Sequence, residues 1–175
     1  EVSEPGVVRH LSDDKFSLGE PSGERSERVR SLATAFIDAG LKAPVRPRIR
    51  DEIWVKLWGN LSFNPLSALT TATLDVLAHD EGIRAIARTM MVEAQAVGEK
   101  HGIRFAIDVD QRIDAAGSIG AHRTSMLQDL EQGRPLEIAA LVESVMEVAR
   151  LVEQPTPVIE LVHTLLKQRI HSRDG

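Results

Sequence analysis

Between Ile53 and Leu66 the chain reads Ile-Trp-Val-Lys-Leu-Trp-Gly-Asn-Leu-Ser-Phe-Asn-Pro-Leu. Wound as an α-helix, this stretch carries apolar side chains around most of its circumference, so it has to be buried on nearly every side. Its polar residues are then costly. Lys56, Asn60 and Asn64 recur every four positions, and at ~100° per residue each step drifts only ~40°, which lines all three along one narrow stripe. A buried ammonium has to be paired or partly neutral and a buried amide has to be hydrogen-bonded, so the stripe calls for a polar partner. Two readings meet that demand. One is a ligand cleft lined by Lys56, Asn60 and Asn64; the other is a structural arrangement in which Lys56 carries its amine to water while the asparagines bond neighbouring backbone. Pro65 withdraws a backbone donor and predicts a kink where the stripe ends. Trp54 and Trp58, at i and i+4, read as core.

After Pro47 the strand-like patterning disappears, and helices are predicted near 50–71, 80–101, 106–116, 121–132, 136–153 and 157–171. Asp80 is placed to cap the second, whose stripe of Ile83, Ile86, Ala87, Met90, Ala94 and Val97 ends at His101-Gly102. Ile138, Leu141, Val142, Val145, Met146, Ala149 and Val152 mark the fifth, and Pro155-Thr156-Pro157 opens the sixth. The first 48 or so residues differ. They hold four of the eight prolines and mix strand and helix patterns. Val7–His10 and Lys15–Leu18 are β-prone runs around Ser12-Asp13-Asp14, which predicts a hairpin. A helix over Glu24–Ala39 would bury Val29, Leu32, Ala33 and Phe36 and stop at Gly40, and Lys42–Arg46 would return as a further strand. The resulting β-β-α-β is too little for an independent sheet domain. The expected organisation is a small unit over 1–48 and a helical domain over 49–175.

Composition narrows the chemistry. With no cysteine there is no disulfide framework, thiolate nucleophile or Cys-based zinc site. A net charge of -5 without a Lys/Arg cluster argues against nucleic acid. The six histidines never fall in an HxxxH, HExxH or HxH pattern, so no metal site is expected. No apolar run approaches ~18 residues and no charged-then-apolar leader is visible, so neither a membrane span nor a signal peptide is expected and the cytoplasm is the expected compartment. Gly117-Ser118-Ile119-Gly120 reads as a loop between helices.

A second informative cluster runs from His122 to Ile138. Ser125 falls on the helix before the Gly133-Arg134-Pro135 corner and Glu137 on the first turn of the next, so the two could approach across a helical hairpin. A first-turn carboxylate also has a plain explanation in the helix dipole. Ser125 has no His-Asp context of the triad kind.

Together, the Trp-x-Lys-Leu-x-x-Asn-x-x-x-Asn-Pro-Leu-x-Ala-Leu-Thr string (Trp54–Thr70) and the Ser-Met-Leu-Gln-Asp-Leu-x-x-Gly-Arg-Pro-x-Glu-Ile string (Ser125–Ile138) closely resemble ketopantoate reductase. The resemblance covers essentially the whole chain. It implies that residues 1–48 are the tail of a Rossmann-type nucleotide-binding domain. Residues 49–175 would be the all-helical substrate domain, related to the C-terminal domain of 6-phosphogluconate dehydrogenase. It further implies reduction of the 2-keto group of ketopantoate by NADPH. Lys56 would protonate the carbonyl oxygen, Asn60 and Asn64 would hold the hydroxyl side of the substrate, and Ser125 would contact its carboxylate. Glu137 would lie between cofactor and substrate. An apolar setting for Lys56 would lower its proton affinity towards working pH, as a general acid requires.

Two positions depart from the family. Ala139 stands where the family usually has aspartate, and a further substrate-contacting asparagine aligns near Leu74; a related small 2-keto acid is therefore an expected alternative to ketopantoate. No GxGxxG follows a strand, so the main cofactor motif is missing. Together with a start at Glu1 rather than methionine, this predicts a piece of a longer enzyme, inactive alone, with ~120 residues of nucleotide-binding domain ahead of it. A homodimer is compatible with the family. Two rival readings remain at this stage: a stand-alone helical dimerisation or interaction module without catalysis, its Lys56 stripe covered by a partner chain, and an opine or glycerol-phosphate dehydrogenase relative.

Overall fold

The computed structural model describes residues 2–10 and 13–174, the last two in backbone only. The chain divides into two compact units, Glu1–Glu52 and Ile53–Gly175, a division four residues beyond the expected 48/49 boundary.

In the first unit, β1 (Val2–Glu4) pairs antiparallel with β2 (Val7–Val8), turning at Gly6, whose φ of 81° is open to glycine. The expected hairpin between Val7–His10 and Lys15–Leu18 does not form, and Ser12 of its turn lies outside the described residues. Lys15–Leu18 pairs instead in parallel with Lys42–Val45. Phe16 N–H donates to the Lys42 carbonyl at 2.7 Å and Arg46 N–H to that of Leu18 at 2.7 Å. Parallel pairing requires a crossover, which α1 (Glu27–Asp38) supplies. Ser26 caps α1, accepting from Val29 N–H at 3.2 Å, and its own hydroxyl donates to Glu20 at 2.5 Å. Arg28 also donates to Glu20, and these bonds hold that carboxyl below its ordinary pKa, the Arg28 bond foremost. Val29 and Ala33 are buried as expected, whereas Leu32 is exposed; a thin unit covers only the centre of the helix stripe.

In the second unit helices are the only regular elements among the described residues, and they are built around α2 (Ile49–Thr70), whose first turn belongs to the first unit. α2 runs unbroken through Pro65. From Trp58 to Ala68 every side chain except Asn60 is buried. Trp58 is core: its Nε1–H donates to the Met91 carbonyl at 2.6 Å and its ring lies 4.7 Å from that of Phe105. The Ile53–Leu57 end differs from the expected all-round burial, since of these residues only Trp54 is buried.

Thr71, with a φ of 61°, ends α2. A six-residue helix, α3 (Leu74–His79), follows. Sequence periodicity missed it because its buried Leu74, Leu77 and Ala78 make a single turn's worth of pattern. The Asp80 carboxylate caps α4 (Glu81–Lys100) as expected, accepting from Ile83 N–H at 2.9 Å. α5 (Val109–Gly117) starts three residues later than expected, where Asp108 and Gln111 form a reciprocal capping box. Thr124 likewise delays α6 (Ser125–Glu131), accepting from Leu127 N–H at 3.2 Å. The next helix opens with a π-helical turn over Ala139–Glu143 before α7 (Ser144–Leu151). α8 (Pro157–Asp174) is capped from α4, where the Glu93 carboxylate accepts from Val158 and Ile159 N–H at 3.0 Å each. No helix among the described residues is long and apolar enough to cross a membrane.

Candidate functional site

A small cavity of ≈ 260 Å³ opens where α2, α3, α5 and the segment leading into α6 converge. Asn60, Asn64 and Ser125 line it together, with Gly59, Phe63, Leu74, Arg112, Ala116, Ile119, His122 and Thr124. Three of the five residues singled out in the sequence thus share one site. Asn64 is 5% exposed and its Nδ2 donates to Ser125 Oγ at 3.5 Å, bridging α2 to α6 across 61 residues. Ser125 is the first residue of α6 rather than an interior one. The loop before it is fixed by the His122 carbonyl, which accepts from Leu74 N–H at 3.0 Å and so ties the start of α3 to the cavity wall.

Lys56 and Glu137 stand elsewhere. Lys56 is exposed and does not line the cavity, correcting the expectation of a buried ammonium: at its end of α2, over Ile53–Leu57, only Trp54 is buried. By helix geometry it lies one turn, ~6 Å, from Asn60 along the same stripe. Exposure along that stripe therefore falls from Lys56 through half-buried Asn60 to buried Asn64. Glu137 is exposed, lies outside the cavity and precedes the helix instead of occupying its first turn. Its carbonyl accepts from Leu141 N–H at 3.0 Å. The helix starts later than expected, after Pro135 and Leu136, so Glu137 sits at its cap, outside the cavity that Ser125 lines.

Arg112 was not apparent from sequence. It sits on α5, half-buried, with its guanidinium laid across Gly59 of α2. A Cβ at position 59 would collide with that guanidinium, lying 3.0 Å from its Cζ and 3.3 Å from its Nε. The Nε is buried with no hydrogen-bond partner among the described residues. Burial lowers the guanidinium's proton affinity. One signal was present: a glycine in the middle of a helix costs ~1 kcal/mol relative to alanine and commonly marks a close approach.

The same cavity also has apolar lining residues, Phe63, Leu74, Ala116 and Ile119. Leu74, one of the two departures noted in the sequence, is 7% exposed in this lining. Chemically the cavity offers amide and hydroxyl hydrogen bonds, one cation and an apolar face. Its volume lies below the ~300–1,000 Å³ typical of drug-sized ligands. A dinucleotide does not fit it.

The sequence signature described as "Ketopantoate reductase PanE/ApbA C terminal" matches residues 48–170. A 2-dehydropantoate 2-reductase of Mesorhizobium japonicum is 63% identical over 168 residues, covering 96% of this chain and 52% of that protein. A crystal structure from Ralstonia solanacearum, ascribed to a ketopantoate reductase, superposes with a TM-score of 0.90 at 39% identity, covering 98% of this chain and 52% of the other. D-Mandelate dehydrogenase, crystallised with NADH and anilino(oxo)acetate, shares the fold with a TM-score of 0.83 at 21% identity over 96% of this chain and 71% of its own. The chain spans about half the length of the curated relatives it matches. Its helices, its motif strings and these similarities place the chain in the ketopantoate reductase family, as that family's helical C-terminal domain.

Proposed function

We propose that this chain is the substrate-side part of a reductase acting on ketopantoate or a similar small 2-keto acid. The observation that carries the reading is the convergence of Asn60, Asn64 and Ser125 on one small cavity, with Lys56 one turn away on the same stripe. In this reading Asn60 and Asn64 hold the substrate by hydrogen bonds and Ser125 contacts its carboxylate. Lys56, at the open end of the stripe, gives a proton to the carbonyl oxygen as the keto group is reduced. Its ammonium is a charge-assisted donor, stronger than a neutral amide, and it stabilises the oxygen as negative charge develops there.

NADPH is the reductant that family membership suggests. The cavity is sized for the acid and not for a dinucleotide, and no glycine-rich fingerprint is present in the sequence. The chain's contribution is therefore to bind and orient the acid and to supply the proton. Glu137, exposed outside the cavity, is the candidate for contact on the cofactor side. Residues 1–48 read as the tail of a nucleotide-binding domain, which the parallel pairing of Lys15–Leu18 with Lys42–Val45 around α1 supports, since parallel strands joined by a helix are the repeating unit of such folds. On this reading the chain alone is inactive.

The test is the complete reductase containing this chain, assayed for 2-keto acid reduction with Lys56→Ala. A direct proton donor loses ~10²-fold or more in kcat. A variant that reduces the acid at the wild-type rate overturns the assignment.

A further inference from the structure

We propose that Arg112 anchors a carboxylate in this cavity, and that the ligand is a small 2-keto acid whose hydrocarbon tail lies against Phe63, Leu74 and Ile119.

The charges on α5 divide between two sides. Asp110 and Asp114 turn to α4, where Arg84 bonds Asp114 at 2.8 Å and Arg88 bonds Asp110 at 3.2 Å. Residues two apart on a helix do not face each other, so neither aspartate serves Arg112. Its backbone N–H bonds the Asp108 carbonyl at 3.1 Å within the helix, but its guanidinium takes part in no hydrogen bond or ion pair among the described residues. The other polar residues lining the cavity are Asn60, Asn64, His122, Thr124 and Ser125, and no Asp or Glu lines the wall.

A partly buried guanidinium without a counter-charge is a cost that the fold bears unless something else offsets it. A carboxylate entering the cavity would do so, because its two oxygens match the planar fork of N–H donors. Gly59 fits this use. The missing side chain lets the guanidinium rest against α2 at the level of Asn60 and Asn64. The charge therefore shares the cavity with the Ser125 hydroxyl, which contacts the same carboxylate, and with the amides that hold the rest of the acid. With the carboxylate on Arg112, the hydrocarbon part of the ligand has Phe63, Leu74 and Ile119 among the lining residues to pack against.

The identity of the acid as a keto acid rests on the reductase reading; its binding through Arg112 does not. The chain is titrated calorimetrically with 2-ketoisovalerate, with the primary amide of that acid, and with inorganic phosphate. The acid is expected to bind at least tenfold more tightly than the amide or phosphate. Arg112→Gln is expected to weaken the acid roughly 10- to 100-fold, the worth of a hydrogen-bonded charge, and to leave the amide unchanged. Arg112→Lys should recover part of the loss. Because the cation has no partner without ligand, Arg112→Gln should melt no lower than wild type; a merely structural arginine would melt lower. The proposal falls if the acid does not bind, if amide or phosphate binds as well as the acid, if Arg112→Gln leaves acid affinity intact, or if its loss of affinity tracks a loss of stability. Steady-state kinetics of the complete reductase separate the two readings. A fully active Lys56→Ala sinks the proton-donor assignment with the carboxylate anchor standing, whereas an unchanged KM in Arg112→Gln sinks the anchor alone.

Discussion

The two ends of α2 are written in the same kind of sequence and sit in opposite surroundings. Among Ile53–Leu57 only Trp54 is buried, packed near Gly98 of α4, while Ile53 is 56% exposed. From Trp58 to Ala68 the helix is enclosed and only Asn60 keeps partial access to solvent. An apolar circumference states that a helix gains from enclosure; it does not state which segment will enclose it. Here Met91 of α4 and Arg112 of α5 meet Trp58 and Gly59, while the Lys56 side chain stays exposed. The stripe of Lys56, Asn60 and Asn64 therefore descends from solvent into the core, with its exposed lysine at the outer end and its hydrogen-bonding amide at the inner one. On the proposed reading, in which the site admits a small acid and protonates it, a graded stripe serves better than the uniformly buried one expected from the pattern.

The largest effect should come from the enclosed end. Leu61, fully buried, should cost ~2–5 kcal/mol on truncation to alanine, read as a shift of the denaturation midpoint. Lys56→Ala should leave that midpoint in place and lower kcat of the complete reductase by ~10²-fold, close to 3 kcal/mol of barrier. A large stability loss there would mean that the open end is more tightly packed than its exposure indicates. Asn64→Ala sits between the two kinds of effect. It should cost about 1 kcal/mol in stability through the lost bond to Ser125 and weaken acid binding as well. Gly59→Ala gains up to ~1 kcal/mol of helix propensity but displaces the Arg112 guanidinium, so stability should hold while acid affinity falls. Ile53→Ala should be smallest, within ~0.5 kcal/mol, as for an ordinary surface position. A clear destabilisation by Ile53→Ala would break the contrast between the two ends.

Much of the helical unit was legible in the chain. The helix over Glu81–Lys100 and its Asp80 cap, the buried Trp58, and the Val142, Val145, Met146 and Ala149 stripe all follow from local spacing and capping chemistry. The errors fall where locality ends. α3 is too short for its period to show. The starts of α5 and α6 depend on caps at Asp108 and Thr124 that periodicity overlooks. In the first unit the β-prone runs were located, but Lys15–Leu18 paired with a segment beyond α1 and not with its nearer neighbour. Strand propensity carries no information about partner. At the site, Asn60, Asn64 and Ser125 were found and Arg112 was not, because nothing in the α5 sequence says which side of that helix will meet Gly59.

What the amino-acid sequence determined by itself is therefore the set of helices, the alignment of Lys56, Asn60 and Asn64 on one stripe, and two motif strings specific enough to indicate the family. These are properties of spacing within a few turns, and helix geometry converts spacing directly into direction. Only the tertiary structure decided that the stripe runs from open to buried, that Glu137 stays outside the cavity, and that Arg112 brings an unpaired charge to Asn64 and Ser125. Those outcomes depend on which helix faces approach one another across long stretches of chain. That choice is made by the packing of the whole unit and not by any one segment of it.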